Sequence, residues 1–193
     1  MSDPGDADRG PGSTPGADRA ESEGTVPVER RAGDALRETD ATVAVAESCT
    51  GGLIGSLITD VPGASDYFDR SVVTYSYDAK RDLLAVPRET LDAHGAVSEP
   101  VARRMARAIR DTADTRWGVA TTGIAGPEGG TDEDPVGTVY AAVASAAPWG
   151  TGASETTVER YVVEGTRRER KAAFARQALR DLLARIDRER GRA

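Results

Sequence analysis

The sequence is poor in cysteine, and this shortage excludes two kinds of protein. Cys49 is the single cysteine of 193 residues, so neither an intrachain disulfide nor a cysteine-based zinc site can form. A reducing compartment fits best, and we predict a cytoplasmic protein. No apolar run approaches the roughly 20 residues that span a bilayer, and the N-terminus MSDPGDADRG is acidic rather than basic and then apolar. We therefore expect no membrane association and no secretory signal.

Lysine and histidine are also scarce, which limits the bases that the protein can use. Of the 25 lysines and arginines only Lys80 and Lys171 are lysines, and His94 is the single histidine. Arginine keeps its proton at any useful pH, whereas a lysine can be tuned to lose it. The net charge of -7 gives no support to nucleic-acid binding.

The chain divides into a leader and one domain. Residues 1–25 are dense in Pro, Gly, Ser and Asp and contain no Leu, Ile, Val, Phe, Tyr or Trp, so they cannot bury enough surface to fold. We predict a disordered acidic leader over residues 1–25. Residues 26–193 have the length and the apolar patterning of a single domain.

Alternating strands and helices predict the fold class of that domain. Apolar runs and alternation predict strands over 42–46, 71–77, 117–123, 138–146 and 154–165, and the periodicity predicts helices over 26–40, 53–60, 78–86, 88–95, from Ser98 onward and over 167–190. The expected fold is a three-layer α/β/α sandwich with a mixed, partly parallel sheet. The last helix carries an apolar stripe that suits either the core or a partner, and we expect a homodimer.

The segment ESCTGG holds two adjacent candidate nucleophiles, Ser48 and Cys49. It follows a buried strand and precedes a helix, which is where ligands collect in such sheets. Gly51 and Gly52 permit close backbone approach, and the N-H groups of the following helix could hold an anion or an oxyanion. The segment matches neither a P-loop nor a G-x-S-x-G elbow. A glycine-containing turn with a small buried Ser and Cys explains the pattern equally well.

A serine nucleophile needs a base, and Lys80 is the better of two candidates. His94 precedes Gly95 near the end of a short helix, where it suits a C-terminal cap. We expect Lys80 in the first turn of the helix after SVVTYSY, where the helix dipole should lower its pKa. The alternative is an exposed cation paired with Asp78 or Asp82. Tyr75 and Tyr77 are predicted to share a strand face, and either phenol could relay the proton.

Two other charged clusters have simpler explanations. The acidic loop residues Glu128, Asp132, Glu133 and Asp134 lack the ligand spacing of an EF-hand, so we interpret them as solvated and expect no metal. Arg167 and Arg168 stand at the start of the last helix, where they could close over a phosphate.

Four stretches in this order resemble the C-terminal domain of the CinA family, the competence and damage-inducible proteins. They are AESCTGGLIGSLITDVPGASDYF, VVTYSYDAK, HGAVSEPVARRMA and TTGIAGPEGGTDEDPVGTVY, and the resemblance runs from about Thr25 to the final helix. It implies hydrolysis of the carboxamide of nicotinamide mononucleotide to nicotinate mononucleotide and ammonia, a salvage step of the pyridine nucleotide cycle. At 193 residues the chain resembles the single-domain form, and we expect it to lack the N-terminal domain of full-length CinA proteins.

The resemblance also implies site residues. The family's serine falls on Ser48, its tyrosine on Tyr75, its lysine on Lys80 and an arginine on Arg167, although the family's G-D-R reads Gly165-Thr166-Arg167 here. Lys80 and Tyr75 would then transfer protons, the turn around Thr50, Gly51 and Gly52 would supply the oxyanion hole, and Arg167 with the loop residues Thr122, Gly123 and Gly126 would bind the substrate. No metal or organic cofactor is required by this scheme.

Two other functions remain open from the sequence. One is a non-catalytic nucleotide-binding or regulatory module related to competence, for which the altered G-T-R is the only support. The other is an amidase that uses the same mechanism on a different small amide.

Overall fold

The computed structural model describes residues 26–191, so the predicted leader lies outside the described part of the chain. Five strands and six α-helices follow one another in an order that matches the predicted alternation. They are α1 (Val28–Glu38), β1 (Val43–Glu47), α2 (Leu53–Thr59), β2 (Phe68–Val73), α3 (Tyr77–Leu84), α4 (Arg88–His94), α5 (Glu99–Ala113), β3 (Trp117–Gly123), β4 (Thr138–Ser145), β5 (Glu155–Val162) and α6 (Arg167–Arg190), with a 3₁₀ turn at Ala64–Asp66.

One mixed sheet carries the fold, in the order β2-β1-β3-β4-β5. Strand β1 pairs in parallel with both β2 and β3, whereas β4 and β5 are antiparallel additions at the other side. The carboxyl ends of β1, β2 and β3 therefore meet at one edge of the sheet, where an α/β protein places its ligands.

Helices cover both faces of the sheet, which confirms the predicted three-layer α/β/α sandwich. On one face α1, α2 and α6 bury a core that includes Leu36, Ile54 and Leu179. On the other face α5, with α3 and α4, buries Val101, Met105 and their neighbours. The apolar stripe of α6 packs in the first of these cores and is therefore not available to a partner. The homodimer stays a prediction.

The junction between β2 and α3 differs from the prediction of a strand over 71–77. Strand β2 begins at Phe68 and ends at Val73, because polar residues are tolerated on this exposed edge strand and the chain turns away after Thr74. Ser76 is the N-cap of α3, and its hydroxyl accepts a hydrogen bond from the Ala79 N-H at 3.0 Å. The two tyrosines that flank Ser76 thus share no strand face.

Within residues 26–191, no helix combines the length and apolar character needed to cross a membrane.

Candidate functional site

The site is built on the turn that joins β1 to α2. Ser48 follows the last residue of β1, and its N-H donates to the Thr121 carbonyl of β3 at 3.0 Å. The turn closes when the Gly51 N-H donates to the Ser48 carbonyl. Gly51 and Gly52 have φ values of 62° and 94°, which residues with a Cβ rarely adopt. The two glycines therefore permit the sharp change of direction that leaves Ser48 at the strand end.

Lys80 lies in α3, and its side chain contacts Ser48. Its Nζ lies 3.0 Å from the Ser48 Oγ and 2.7 Å from the Thr74 carbonyl oxygen. The Lys80 side chain has no exposed surface, and Ser48 is only 8% exposed. The structure therefore brings the predicted nucleophile and the predicted base into direct contact.

Burial lowers the pKa of Lys80 from 10.5 to about 8. The sequence predicts this shift from the helix dipole, whereas desolvation is its largest cause in the structure. The alternative of an exposed ion pair is wrong, because Asp78 pairs with Arg81 instead and no ion pair of Lys80 is found in residues 26–191. With this pKa about a tenth of the amine is neutral at pH 7 and about half is neutral at pH 8.

Cys49, the other candidate nucleophile, is buried as predicted. Its side chain packs with Ala125, Val139 and Phe174, and burial raises the pKa of the thiol to about 12. The thiolate is the reactive form of cysteine, so this thiol stays protonated and inert under ordinary conditions. Of the two adjacent candidates, Ser48 is the one whose side chain contacts a possible base.

Glu47 is a site residue that the sequence analysis missed. Its carboxylate is completely buried and accepts hydrogen bonds from the N-H groups of Gly52, Ile54 and Gly55 at 2.9–3.0 Å, and from the Ser71 hydroxyl at 2.7 Å. The sequence predicts that the N-H groups at the start of α2 are available to an anion. This expectation is wrong for Gly52, Ile54 and Gly55, because their N-H groups already donate to Glu47. The sequence does contain a signal for Glu47, because a charged residue directly continues the apolar run of a buried strand.

We expect Glu47→Gln to lower the free energy of unfolding by about 2–4 kcal/mol, because the amide NH₂ group would face N-H donors and leave buried groups unpaired. Chemical denaturation of the two proteins measures the difference. Glu128→Gln makes the same exchange at an exposed loop position and should change the value by less than about 0.5 kcal/mol. Equal stabilities of the Glu47 variant and the wild type would contradict this role of the carboxylate.

Tyr75 and Arg167 meet at the rim of the site. Tyr75 is 62% exposed, and its hydroxyl accepts a hydrogen bond from Arg167 Nη2 at 3.2 Å. Arg167 also donates to the Gly126 carbonyl oxygen through Nη1. No hydrogen bond joins the Tyr75 hydroxyl to Ser48 or Lys80 among the described residues. Three chain segments that are distant in sequence are thus joined beside the Ser48 turn.

The remaining predicted binding residues are mostly engaged within the protein. Thr50 Oγ1 and Thr121 Oγ1 share a hydrogen bond of 2.9 Å, and Thr122 Oγ1 donates to the Ala96 carbonyl at 2.6 Å. A Cβ at Gly123 would lie 2.4 Å from the Thr138 carbonyl oxygen, so close packing between β3 and β4 requires this glycine. These hydroxyls therefore form hydrogen bonds within the scaffold.

The altered G-T-R sequence keeps its structural role. Thr166 is the N-cap of α6 and forms a capping box with Glu169, in which the Glu169 carboxylate accepts from the Thr166 N-H at 2.7 Å. Threonine and aspartate both cap helices. Thr166, which stands where the resemblance places an aspartate, therefore supplies the helix cap, and Arg167 follows it as the first residue of α6.

His94 and the acidic loop lie outside this arrangement. His94 is the exposed last residue of α4, before Gly95, as predicted for a C-terminal cap. In the acidic loop, Glu128, Asp132 and Glu133 are exposed as predicted, but the prediction of a solvated side chain is wrong for Asp134. The Asp134 carboxylate is largely buried and accepts hydrogen bonds from the Tyr140 hydroxyl and from Arg160, both at 3.1 Å. Across residues 26–191 no group of three or more His, Cys, Asp or Glu side chains is placed to hold a metal ion.

The fold and the site define an α/β protein with a buried serine-lysine pair at the carboxyl end of a parallel strand. The family model of the CinA C-terminal domain matches residues 25–186, and the chain belongs to this family.

The relatives agree with this assignment. A "CinA-like protein" of Chlorobaculum tepidum is 53% identical over 151 residues, which cover 78% of this chain and 35% of the relative, and one of Salinibacter ruber is 48% identical over 158 residues, covering 82% and 37%. The chain thus spans about a third of the length of these curated relatives.

Solved structures of the CinA superfamily show the same fold. A Klebsiella pneumoniae 700603 protein superimposes with a TM-score of 0.76 at 34% identity, over 83% of this chain and 96% of that one. A competence/damage inducible protein of Agrobacterium tumefaciens also has a TM-score of 0.76, at 38% identity, over 83% and 93% of the two chains.

Proposed function

We propose that this protein hydrolyses the carboxamide of nicotinamide mononucleotide to nicotinate mononucleotide and ammonia. The observation that carries the proposal is the 3.0 Å contact between Lys80 Nζ and Ser48 Oγ, made by a lysine that is completely buried. A neutral amine at that distance is a suitable base for a serine nucleophile. The chain belongs to the CinA family, and the sequence resemblance to this family implies this reaction. Family membership therefore supports the choice of substrate.

The first half of the reaction forms an acyl-enzyme. Neutral Lys80 takes the Ser48 hydroxyl proton while Oγ attacks the carboxamide carbon, and a tetrahedral oxyanion results. The carbon-nitrogen bond then breaks, the Lys80 ammonium supplies a proton to the departing nitrogen, and ammonia leaves. The product of this half is an ester between Ser48 and the nicotinoyl group of the nucleotide.

The second half returns the enzyme to its starting state. Lys80, neutral again, takes a proton from water as the water oxygen attacks the ester carbon. The bond to Ser48 Oγ breaks, and Oγ regains its proton from Lys80. Nicotinate mononucleotide is released, and the sum of both halves is consumption of one water and release of one ammonia.

Tyr75 is suited to support the substrate at the rim. The nicotinamide ring is cationic in the mononucleotide, and an exposed aromatic face attracts such a ring. Because Arg167 donates to the Tyr75 oxygen, the phenolic O-H proton remains available for the substrate or for proton relay.

Since Glu47 occupies three N-H groups at the start of α2, the oxyanion must rely on the other backbone amides of the turn. The N-H groups of Cys49 and Thr50 lie directly after the nucleophile and are the candidates.

The purified protein should release ammonia from nicotinamide mononucleotide and yield the acid product in equal amount. Nicotinamide and NAD, assayed separately, should give much slower release. Ammonia from nicotinamide alone would contradict the mononucleotide assignment and would favour an amidase acting on another small amide. If none of the three compounds releases ammonia, the enzymatic proposal is contradicted, and a non-catalytic nucleotide-binding or regulatory module remains as the alternative.

Tyr75→Phe should lower kcat by about 10- to 100-fold, because the phenolic O-H proton is available to the bound substrate and phenylalanine has no such donor. Tyr161→Phe is the matched control, since the Tyr161 hydroxyl donates to Asp181 on α6. It should keep kcat while losing about 1 kcal/mol of stability. Steady-state kinetics on both variants make the comparison, and equal kcat values for Tyr75→Phe and wild type would exclude the phenol from catalysis.

A further inference from the structure

The other lysine of the chain, Lys171, also lies beside the nucleophile turn. It stands one helical turn after Arg167 in α6, and residues at this spacing share a helix face. A Cβ placed on Gly51 would lie 3.4 Å from Lys171 Nζ and 4.0 Å from its Cε. The shared face therefore carries one cation that contacts Tyr75 and another that adjoins the turn beginning at Ser48.

The surrounding charged groups are occupied, whereas Lys171 is not. Arg170 donates to the carbonyl oxygens of Val163 and Ala125, and the Glu169 carboxylate is held by Thr166. No hydrogen bond or ion pair of Lys171 is found within the described range 26–191. An ammonium group without an anionic partner in the protein is available to an anionic ligand.

The state of the neighbouring helix strengthens this argument. Glu47 already fills the N-H groups of Gly52, Ile54 and Gly55 at the start of α2. A phosphate near this turn cannot use those three amides, so nearby cationic side chains become the main candidates to hold it. Lys171 and Arg167 are the cations on the adjoining helix face.

We propose that Lys171 binds the 5'-phosphate of the mononucleotide substrate and so selects nucleotides over nucleosides. The inference rests on the proposed function, because it assigns a residue to one part of that substrate. A lysine ammonium binds a phosphate as a compact point charge, and it needs no fixed geometry to do so.

A binding experiment without turnover tests the inference. Both proteins carry Ser48→Ala, and one of them also carries Lys171→Met. Calorimetry measures the Kd of each protein for nicotinamide mononucleotide and for nicotinamide riboside, which lacks the phosphate. We expect Lys171→Met to weaken mononucleotide binding about 10- to 100-fold and to change riboside binding less than about twofold. Lys171→Arg keeps the charge and should bind both ligands nearly as Lys171 does. Equal changes for the two ligands, no change for either, or no mononucleotide binding with Lys171 present would overturn the inference.

The ammonia assay separates this inference from the function on which it rests. If wild type releases ammonia and Lys171→Met keeps the same KM for the mononucleotide, the function stands and the role of Lys171 is refuted. If wild type releases no ammonia but the Met exchange still removes the preference for the phosphorylated ligand, the phosphate contact stands and the hydrolysis proposal fails.

Discussion

Ser48→Ala is expected to lower kcat for ammonia release from nicotinamide mononucleotide by about 10⁴-fold or more, because no other group can form the acyl bond. The free energy of unfolding should change by no more than about 1 kcal/mol, since Lys80 keeps the Thr74 carbonyl as a partner. Single-turnover and steady-state assays measure the first effect, and chemical denaturation measures the second.

Cys49→Ala is the control, because it alters the adjacent side chain of the same turn. The thiol is buried and its pKa is raised to about 12, so its removal should cost some packing stability and leave kcat nearly unchanged. Turnover that survives in Ser48→Ala and disappears in Cys49→Ala would identify the thiol as the nucleophile and refute the assignment of Ser48.

Lys80→Arg should lower kcat by about 10³-fold, because arginine keeps the positive charge but cannot release its proton to act as the base. Lys171→Arg makes the same exchange at the other lysine, keeps the charge proposed to hold the phosphate, and should lower kcat by less than about tenfold. Arginine is larger than lysine and Lys80 is completely buried, so Lys80→Met serves as a second variant with a similar loss of kcat. Wild-type turnover in a folded Lys80→Arg protein would rule out the neutral-lysine mechanism.

The lowered pKa of Lys80 also links stability to pH. The folded state binds a proton at Lys80 with a pKa of about 8, and the ordinary value is 10.5. The unfolded state therefore holds more protons between these two values, and stability rises with pH through that window by on the order of 3 kcal/mol. Lys80→Met should lack this rise when unfolding is measured across the same range. Parallel curves for the two proteins would show that Lys80 is not desolvated.

Much of the fold follows from patterns within single segments. The long apolar stripe of α6 and the buried run of β3 predicted both elements with the bounds that the structure has. The β2-α3 junction did not follow, because aromatic and β-branched residues there resemble a strand while Ser76 caps a helix. Local propensity was outweighed by a cap that forms only when the chain leaves the sheet.

The site was only partly predictable, because its contacts join distant positions. Ser48 and Lys80 are 32 residues apart and Tyr75 and Arg167 are 92 apart, so no local pattern reports either pair. Ordered motifs suggested which residues belong together. Glu47 was missed because its partners are backbone N-H groups, whose positions a sequence does not display.

The central claim is that a buried, neutral Lys80 activates Ser48, and the pH dependence of kcat/KM for ammonia release tests it most directly. This quantity reports the ionisation of the free enzyme. We predict a tenfold rise per pH unit below an apparent pKa of about 8 and a plateau above it, in accord with the lowered pKa of Lys80. A profile that is flat from about pH 6 to about pH 9, or one that falls through this range, would contradict the account.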